Sequence, residues 1–162
     1  MRMVRALIIS DSHGHMENVE KVLKKEDRLD MVIHLGDIIG QDERLRSLCD
    51  CPVKIVRGNC DFGSENELVE VFSLEQNKIF ATHGHNYGVN WGLENLYYAA
   101  QERGCNIAMY GHTHIPEITY QGGMTIVNPG SVSRPRQLNR KPTYALMTID
   151  KNGKTDISVH YV

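Results

Sequence analysis

Seven side chains able to hold a metal ion stand where short apolar runs stop: Asp11 and His13, Asp37, Asn59, His83, then His112 and His114. Buried strands rarely end on such residues by coincidence. Two aspartates, four histidines and one amide oxygen form a mixed oxygen and nitrogen donor set. Such a set suits borderline cations such as manganese, iron(II), zinc, nickel or cobalt better than calcium. Seven donors are too many for one tetrahedral ion but natural for two ions about 3.5 to 4 Å apart that share a carboxylate. Asp37, the solitary aspartate among the strand ends, is the expected bridge.

The elements that must bring these residues together are legible in the hydrophobic pattern. Residues 4–9 form a nearly continuous apolar run, the pattern of a strand buried on both faces. Met16, Val19, Val22 and Leu23 recur at helical spacing, which predicts a helix over about 16–25. Residues 31–35 repeat the strand pattern and end at Gly36 and Asp37, so the unit predicts parallel pairing with a right-handed crossover. Leu45 and Leu48 suggest a short second helix. Strands are expected at 53–56, 68–74, 78–82 and 107–110, with a helix through Leu93, Leu96, Tyr97 and Ala100 that Gly104 would cap. Hairpin signals at 121–123 and 151–153, and alternation over 156–161, predict an antiparallel C-terminal third. No linker or repeat interrupts the chain, so residues 1–162 read as one mixed α/β domain.

Parallel strands gather ligands outside their carboxyl ends, so residues scattered over the sequence are expected to meet in one cleft. Glycines directly before Asp37, Asn59 and His112, and after His83, would permit the tight turns that aim them. In Asp11-x-His13 and His112-x-His114, alternate residues of an extended segment would face one side, and His85 would share the side of His83.

The ordered set DSH, GD, GNCD, THGH, GHTH and NPGS, from Asp11 to Ser131, resembles the calcineurin-like metallophosphoesterases. Length and the GNCD variant resemble most the small single-domain YfcE-type phosphodiesterase branch. The resemblance implies a four-layer sandwich of two mixed β-sheets flanked by helices. It implies one metal on Asp11, His13, Asp37 and His114 and a second on Asp37, Asn59, His83 and His112. Manganese leads that expectation, with iron, zinc, nickel, cobalt or magnesium as alternatives. Two such ions lower the pKa of a shared water so that hydroxide forms near neutral pH and attacks phosphorus in line. The expected substrate is a small phosphodiester. A phosphomonoesterase is the alternative within enzymes, and a non-catalytic scaffold binding protein partners is the alternative outside them, because the fold is reused in membrane-sorting complexes.

One departure matters. Many members of the resembled family carry GNHE, and the resemblance implies that this histidine protonates the leaving group, whereas Cys60 stands there in this chain. A cysteine is a poor acid, so the expectation is a preference for activated or aryl diesters, or recruitment of His85. Asn59, His85 and Asp61 are the catalytic candidates, Asp61 either orienting a histidine or capping a turn.

A formal net charge of −2 leaves no long basic field, which argues against stable nucleic-acid binding. No segment approaches the ~20 apolar residues of a membrane span, and the apolar stretch at 6–9 is too short for a signal sequence. Cys49, Cys51, Cys60 and Cys105 form no CxxC, so reduced thiols in a cytoplasm are expected. His34 reads as a core histidine, His15 and His160 as surface residues, and 24–28 as a solvated helix end. Arg134 and Arg136 read as loop arginines, with a substrate-phosphate contact as the alternative. Asn128 and Ser131 read as cleft rim, while Trp91, Tyr97 and Tyr98 read as core, with a groove wall or homo-oligomer contact as the alternative.

Overall fold

The computed structural model describes residues 2–162. In chain order the strands are β1 (Val4–Ile9), β2 (Met31–His34), β3 (Val53–Ile55), β4 (Val69–Leu74), β5 (Asn77–Thr82), β6 (Ile107–Met109), β7 (Glu117–Gln121), β8 (Met124–Asn128), β9 (Thr143–Ile149) and β10 (Thr155–Tyr161). The helices are α1 (Glu17–Lys25), α2 (Asp42–Leu48) and α3 (Glu94–Glu102). They form two five-stranded mixed sheets, in the orders β10-β9-β1-β2-β3 and β4-β5-β6-β8-β7.

The period-2 alternation of strand side chains sorts the apolar residues into layers. In β1, Ala6 and Ile8 join Ile79 and Ala81 of β5 and Ile107 and Met109 of β6 in the core between the sheets. Leu7 and Ile9 point the other way, against Val19 and Val22 of α1 and Leu45 of α2. On the outer face of the second sheet, Phe80 and Ala108 pack on Leu96, Tyr97 and Ala100 of α3. Four layers result, helix, sheet, sheet, helix, because both faces of β1, β5 and β6 are apolar and each demands cover.

The parallel pairs β1–β2 and β2–β3 follow the expected crossovers. Helix α3 ends in a Schellman arrangement: Gly104 takes φ +69°, its N–H bonds to Gln101 O, and the Cys105 N–H reaches Ala100 O. The hairpin predicted at 121–123 closes β7 on β8, with Gly122 and Gly123 both at positive φ.

Other expectations need correction. The C-terminal third is not wholly antiparallel: β8 runs parallel to β6. Antiparallel pairing also occurs ahead of that third, where β4 and β5 form a hairpin. Trp91 is 94% exposed and Tyr98 57%, so of the three aromatics only Tyr97 is core. His160 is half-buried, stacked on Tyr144 at 5.5 Å, rather than a surface residue. Glu26 is not a freely solvated helix end: it accepts from Arg5 and from the Tyr144 hydroxyl. Among the described residues no helix is long and apolar enough to cross a membrane.

Candidate metal centre

The loops that carry the two aspartates and four histidines leave the carboxyl ends of β1, β2, β5 and β6, two strands from each sheet, and hook onto one another. The Asp11 N–H bonds to Gly36 O (3.0 Å), the His13 N–H to Asp37 O (2.8 Å) and the Gly111 N–H to His83 O (2.9 Å). Across the seam between the sheets, the His112 N–H donates to Asp11 Oδ2 at 3.0 Å. These loops are not extended. Asp11, His13, Asp37, His112 and His114 all adopt positive φ, between 50° and 71°. The i, i+2 pairs do face one side, but left-handed turns aim them. Non-glycine residues rarely adopt such angles, and they collect at functional sites where the surroundings over-determine them.

Six of the seven predicted donors converge. Asp11 Oδ1 lies 3.2 Å from His114 Nε2, 3.7 Å from His13 Nε2 and 3.8 Å from His83 Nε2. Asp37 Oδ2 lies 3.3 Å from His83 Nε2 and 3.5 Å from His13 Nε2. His13 and His114 approach to 3.2 Å through their Nε2 atoms, and His112 Nδ1 stands 3.3 Å from His83 Nε2. Asn59 is exposed, with its amide nitrogen 3.6 Å from Cys60 Sγ, an atom that itself lies within 4.8 Å of donors of His13 and Asp37.

Backbone carbonyls set two of the imidazole tautomers. The His83 Nδ1–H donates to Leu35 O and the His114 Nδ1–H to Arg134 O, both at 2.6 Å, so each ring offers an Nε2 lone pair to the centre. The His114 lone pair therefore faces Asp11 Oδ1, a buried oxygen with no hydrogen-bond partner among the described residues. Two acceptors in contact inside a protein interior call for a cation between them. The donor set fits divalent metal ions on this ground, and Asp11, His13 and His114, like Asp11, Asp37 and His83, form groups with metal-holding geometry.

In the metal-free chain the charges compensate one another. Burial works to raise the Asp11 pKa, but the adjacent imidazoles of His114 and His13 and the charge of His83 outweigh it and hold the carboxyl far below its usual range. For Asp37, burial is likewise outweighed by the bond to His83. For His83, burial opposes protonation, yet the bond to Asp37 and the charge of Asp11 raise its pKa. Burial first and His83 second lower the pKa values of His112 and His85, leaving both neutral at physiological pH.

Two glycines are fixed by close approach. A Cβ at Gly58 would overlap the Asp37 carboxylate, and one at Gly111 would collide with Ser10 Oγ and stand 2.7 Å from Asp11 Oδ2.

The remaining sequence candidates find other places. Asp61 holds no histidine. Its Oδ2 accepts the N–H groups of Asp37 (2.8 Å) and Gly58 (2.7 Å), and its Oδ1 that of Ile39 (2.9 Å), so it pins the two loops that carry Asp37 and Asn59. His85 is not on an extended strand, because Gly84 at φ +109° turns the chain into a single 3-10 turn, His85–Tyr87. Its ring nevertheless sits 5.5 Å from that of His83 and 6.2 Å from that of His112, centroid to centroid. His34 is the satisfied core histidine expected: it meets Ser12 Oγ at 2.9 Å and accepts the Gly36 N–H at 3.1 Å. Asn128 and Ser131 are not rim residues. Both are fully buried, Ser131 donating to Asp11 O and Asn128 to Gly111 O. Arg134 works through its carbonyl on His114, and its guanidinium lies 3.3 Å from His15.

Cys60 is the residue that sequence reasoning missed as a member of the cluster. Its Sγ lies within 4.8 Å of donor atoms of His13 and Asp37, and its N–H donates to Asp37 Oδ1 at 2.9 Å. Burial and the neighbouring Asp37 charge push its thiol pKa up. Its place directly after the Asn59 donor was the available signal.

Comparison with known proteins agrees with this geometry. Residues 4–152 match the model of the calcineurin-like phosphoesterase superfamily domain. The probable metallophosphoesterase YsnB of Bacillus subtilis (strain 168) is 35% identical over 153 residues, covering 94% of this chain and 88% of its own. Phosphodiesterase YfcE of Escherichia coli (strain K12) is 30% identical over 159 residues, covering 83% and 82%. A predicted phosphoesterase of Streptococcus pneumoniae TIGR4 superposes with a TM-score of 0.82 at 31% identity, covering 99% of each chain. Vacuolar Protein Sorting 29 of Cryptosporidium parvum shares the fold, with a TM-score of 0.79 at 20% identity over 100% of this chain and 99% of its own. With most of its length matched and its donors gathered at the strand ends, the chain belongs to the calcineurin-like phosphoesterase superfamily.

Proposed function

We propose that this protein is a dinuclear metal-dependent phosphodiesterase acting on a small diester. One ion would be held by Asp11, His13, Asp37 and His114, the other by Asp37, Asn59, His83 and His112, with Asp37 as the bridge. The single observation that carries the reading is the buried, unpartnered Asp11 Oδ1 ringed by the Nε2 atoms of His13, His83 and His114. Manganese is the first choice of ion, since the donors are imidazole and carboxylate. When bound, such ions supply a water acidic enough to ionise near neutral pH and positive charge beside the phosphate oxygens.

The chain's own groups do the rest. Leu35 O and Arg134 O hold His83 and His114 in the tautomer that presents Nε2. Asp61 fixes the backbone on which Asp37 sits. His85 is neutral at physiological pH, so at the leaving oxygen it would donate a hydrogen bond rather than surrender a proton. The Cys60 thiol, with its raised pKa, is a weaker acid still. Both features favour diesters whose leaving oxygen tolerates negative charge, such as aryl diesters. Because both sheets contribute donors, residues 1–162 would act as one domain. Four free cysteines support a reducing, cytoplasmic setting.

The test is hydrolysis of bis(p-nitrophenyl) phosphate, and of p-nitrophenyl phosphate as the monoester control, by protein loaded in turn with manganese, iron, zinc, nickel, cobalt and magnesium. Turnover of the diester above the monoester is expected. Silence with every ion would favour the second reading, a protein-binding scaffold, which draws on the fold shared with Vacuolar Protein Sorting 29.

A further inference from the structure

A cavity of about 410 Å³ opens beside the centre between the loop that follows Asp37 and the loop that follows Asn59. Cys60 belongs to both: it lines the cavity, and its Sγ stands within 4.8 Å of donor atoms of His13 and Asp37. Ile39 and Phe62 form the apolar part of the lining. Phe62 is 93% exposed, an aromatic ring with almost no cover of its own. Ile39 is held at φ +54°, where a β-branched residue is a genuine outlier. Its N–H is fastened by Asp61 Oδ1, the other oxygen of the carboxylate that pins Asp37. The same clamp thus fixes the centre and holds a strained apolar side chain on the wall of the adjoining cavity, an arrangement characteristic of sites under functional constraint.

The lining includes two carboxylates and, among the described residues, no lysine or arginine. Both carboxylates are engaged. Asp61 takes three backbone N–H groups, and Asp42 accepts from the Asn66 amide at 2.6 Å. An anionic group would meet repulsion there and an apolar one would gain burial. We infer that this cavity seats one ester arm of the substrate, an uncharged aromatic or bulky apolar group stacked on Phe62, so that the substrates are diesters with at least one such arm. The inference rests on the phosphodiesterase reading and adds the class of substrate to it.

The test is calorimetric binding of phenylphosphonate, methylphosphonate and phosphocholine to the manganese-loaded protein, beside turnover of bis(p-nitrophenyl) phosphate. Phenylphosphonate should bind roughly tenfold tighter than methylphosphonate, from burial and stacking of one ring. Phe62→Ala, a change at an exposed position, should erase most of that preference, and Phe62→Trp should keep it. Equal affinity for the phenyl and methyl ligands, or a preference that survives Phe62→Ala, would overturn the inference while leaving the metal centre standing. Tightest binding by phosphocholine would overturn it in favour of a cationic arm. Failure of every phosphonate to bind, together with no turnover, would overturn both readings.

Discussion

Replacing Asp61 should unfasten two loops at once, and the size of the effect follows from its contacts. The side chain is 6% exposed and accepts three backbone N–H bonds of 2.7, 2.8 and 2.9 Å, to Gly58, Asp37 and Ile39. Asp61→Ala leaves all three donors without their acceptor. Gly58 and Asp37 are buried and would bear the full desolvation cost, whereas the partly exposed Ile39 N–H can regain water. At about 1–3 kcal/mol for each buried donor, and less for the third, the loss is about 3–5 kcal/mol. Asp61→Asn keeps one oxygen, able to serve Gly58 and Asp37, but turns an amide NH₂ toward the Ile39 N–H. It should lose only about 1–2 kcal/mol. Urea denaturation of the metal-free protein at pH 7 measures both values without a contribution from bound cation. Manganese titration should show weaker affinity in the same order, because Asp37 is displaced with its backbone. A loss below about 1 kcal/mol for Asp61→Ala would refute the clamp, as would equal losses for the two variants.

Gly58→Ala places a Cβ against the Asp37 carboxylate and should cost about 1–3 kcal/mol as overpacking, with reduced manganese affinity by calorimetry; unchanged affinity would contradict the geometry. Burial depresses the His34 pKa from 6.5 to about 4, so the unfolded chain binds the extra proton between those values. Stability should therefore fall as pH drops from about 6.5 to 4, by about 3 kcal/mol, and His34→Gln should lack this component in chemical denaturation of the metal-free chain. His83 has the opposite sign: its raised pKa contributes stability that is present below 6.5 and lost at higher pH. His85→Ala should slow diesters with poor leaving groups most, and an equal loss of kcat across a leaving-group series would argue against any role at the leaving oxygen.

Much of the centre could be read before the fold was known, because strand ends and donor side chains leave local marks. The run at 4–9 became β1 with its bounds unchanged, since both faces of that strand are apolar. The pattern could not reveal which strands pair. Ile126 and Val127 look alike whether β8 runs parallel to β6 or antiparallel to it, and only the hydrogen-bonded partner decides. Left-handed backbone at Asp11 and His114 was hidden for a different reason: sequence signals that conformation mainly through glycine, and here neighbouring hydrogen bonds impose it on other residues. Asp61 was ambiguous because a carboxylate bound to backbone N–H groups has no side-chain partner whose type or spacing marks its role. His85 was placed on a strand because the turn at Gly84 interrupts an otherwise plausible extension.

The aspartate and histidine donors leave β1 and β2 in one sheet and β5 and β6 in the other, so a cation seated among them would be a rivet driven through both halves of the sandwich. Chelation should then loosen the structure as a whole rather than fray one loop. Backbone amides of all four strands should exchange hydrogen faster in concert, and protection lost from one sheet alone would mean that the halves hold together without the ion.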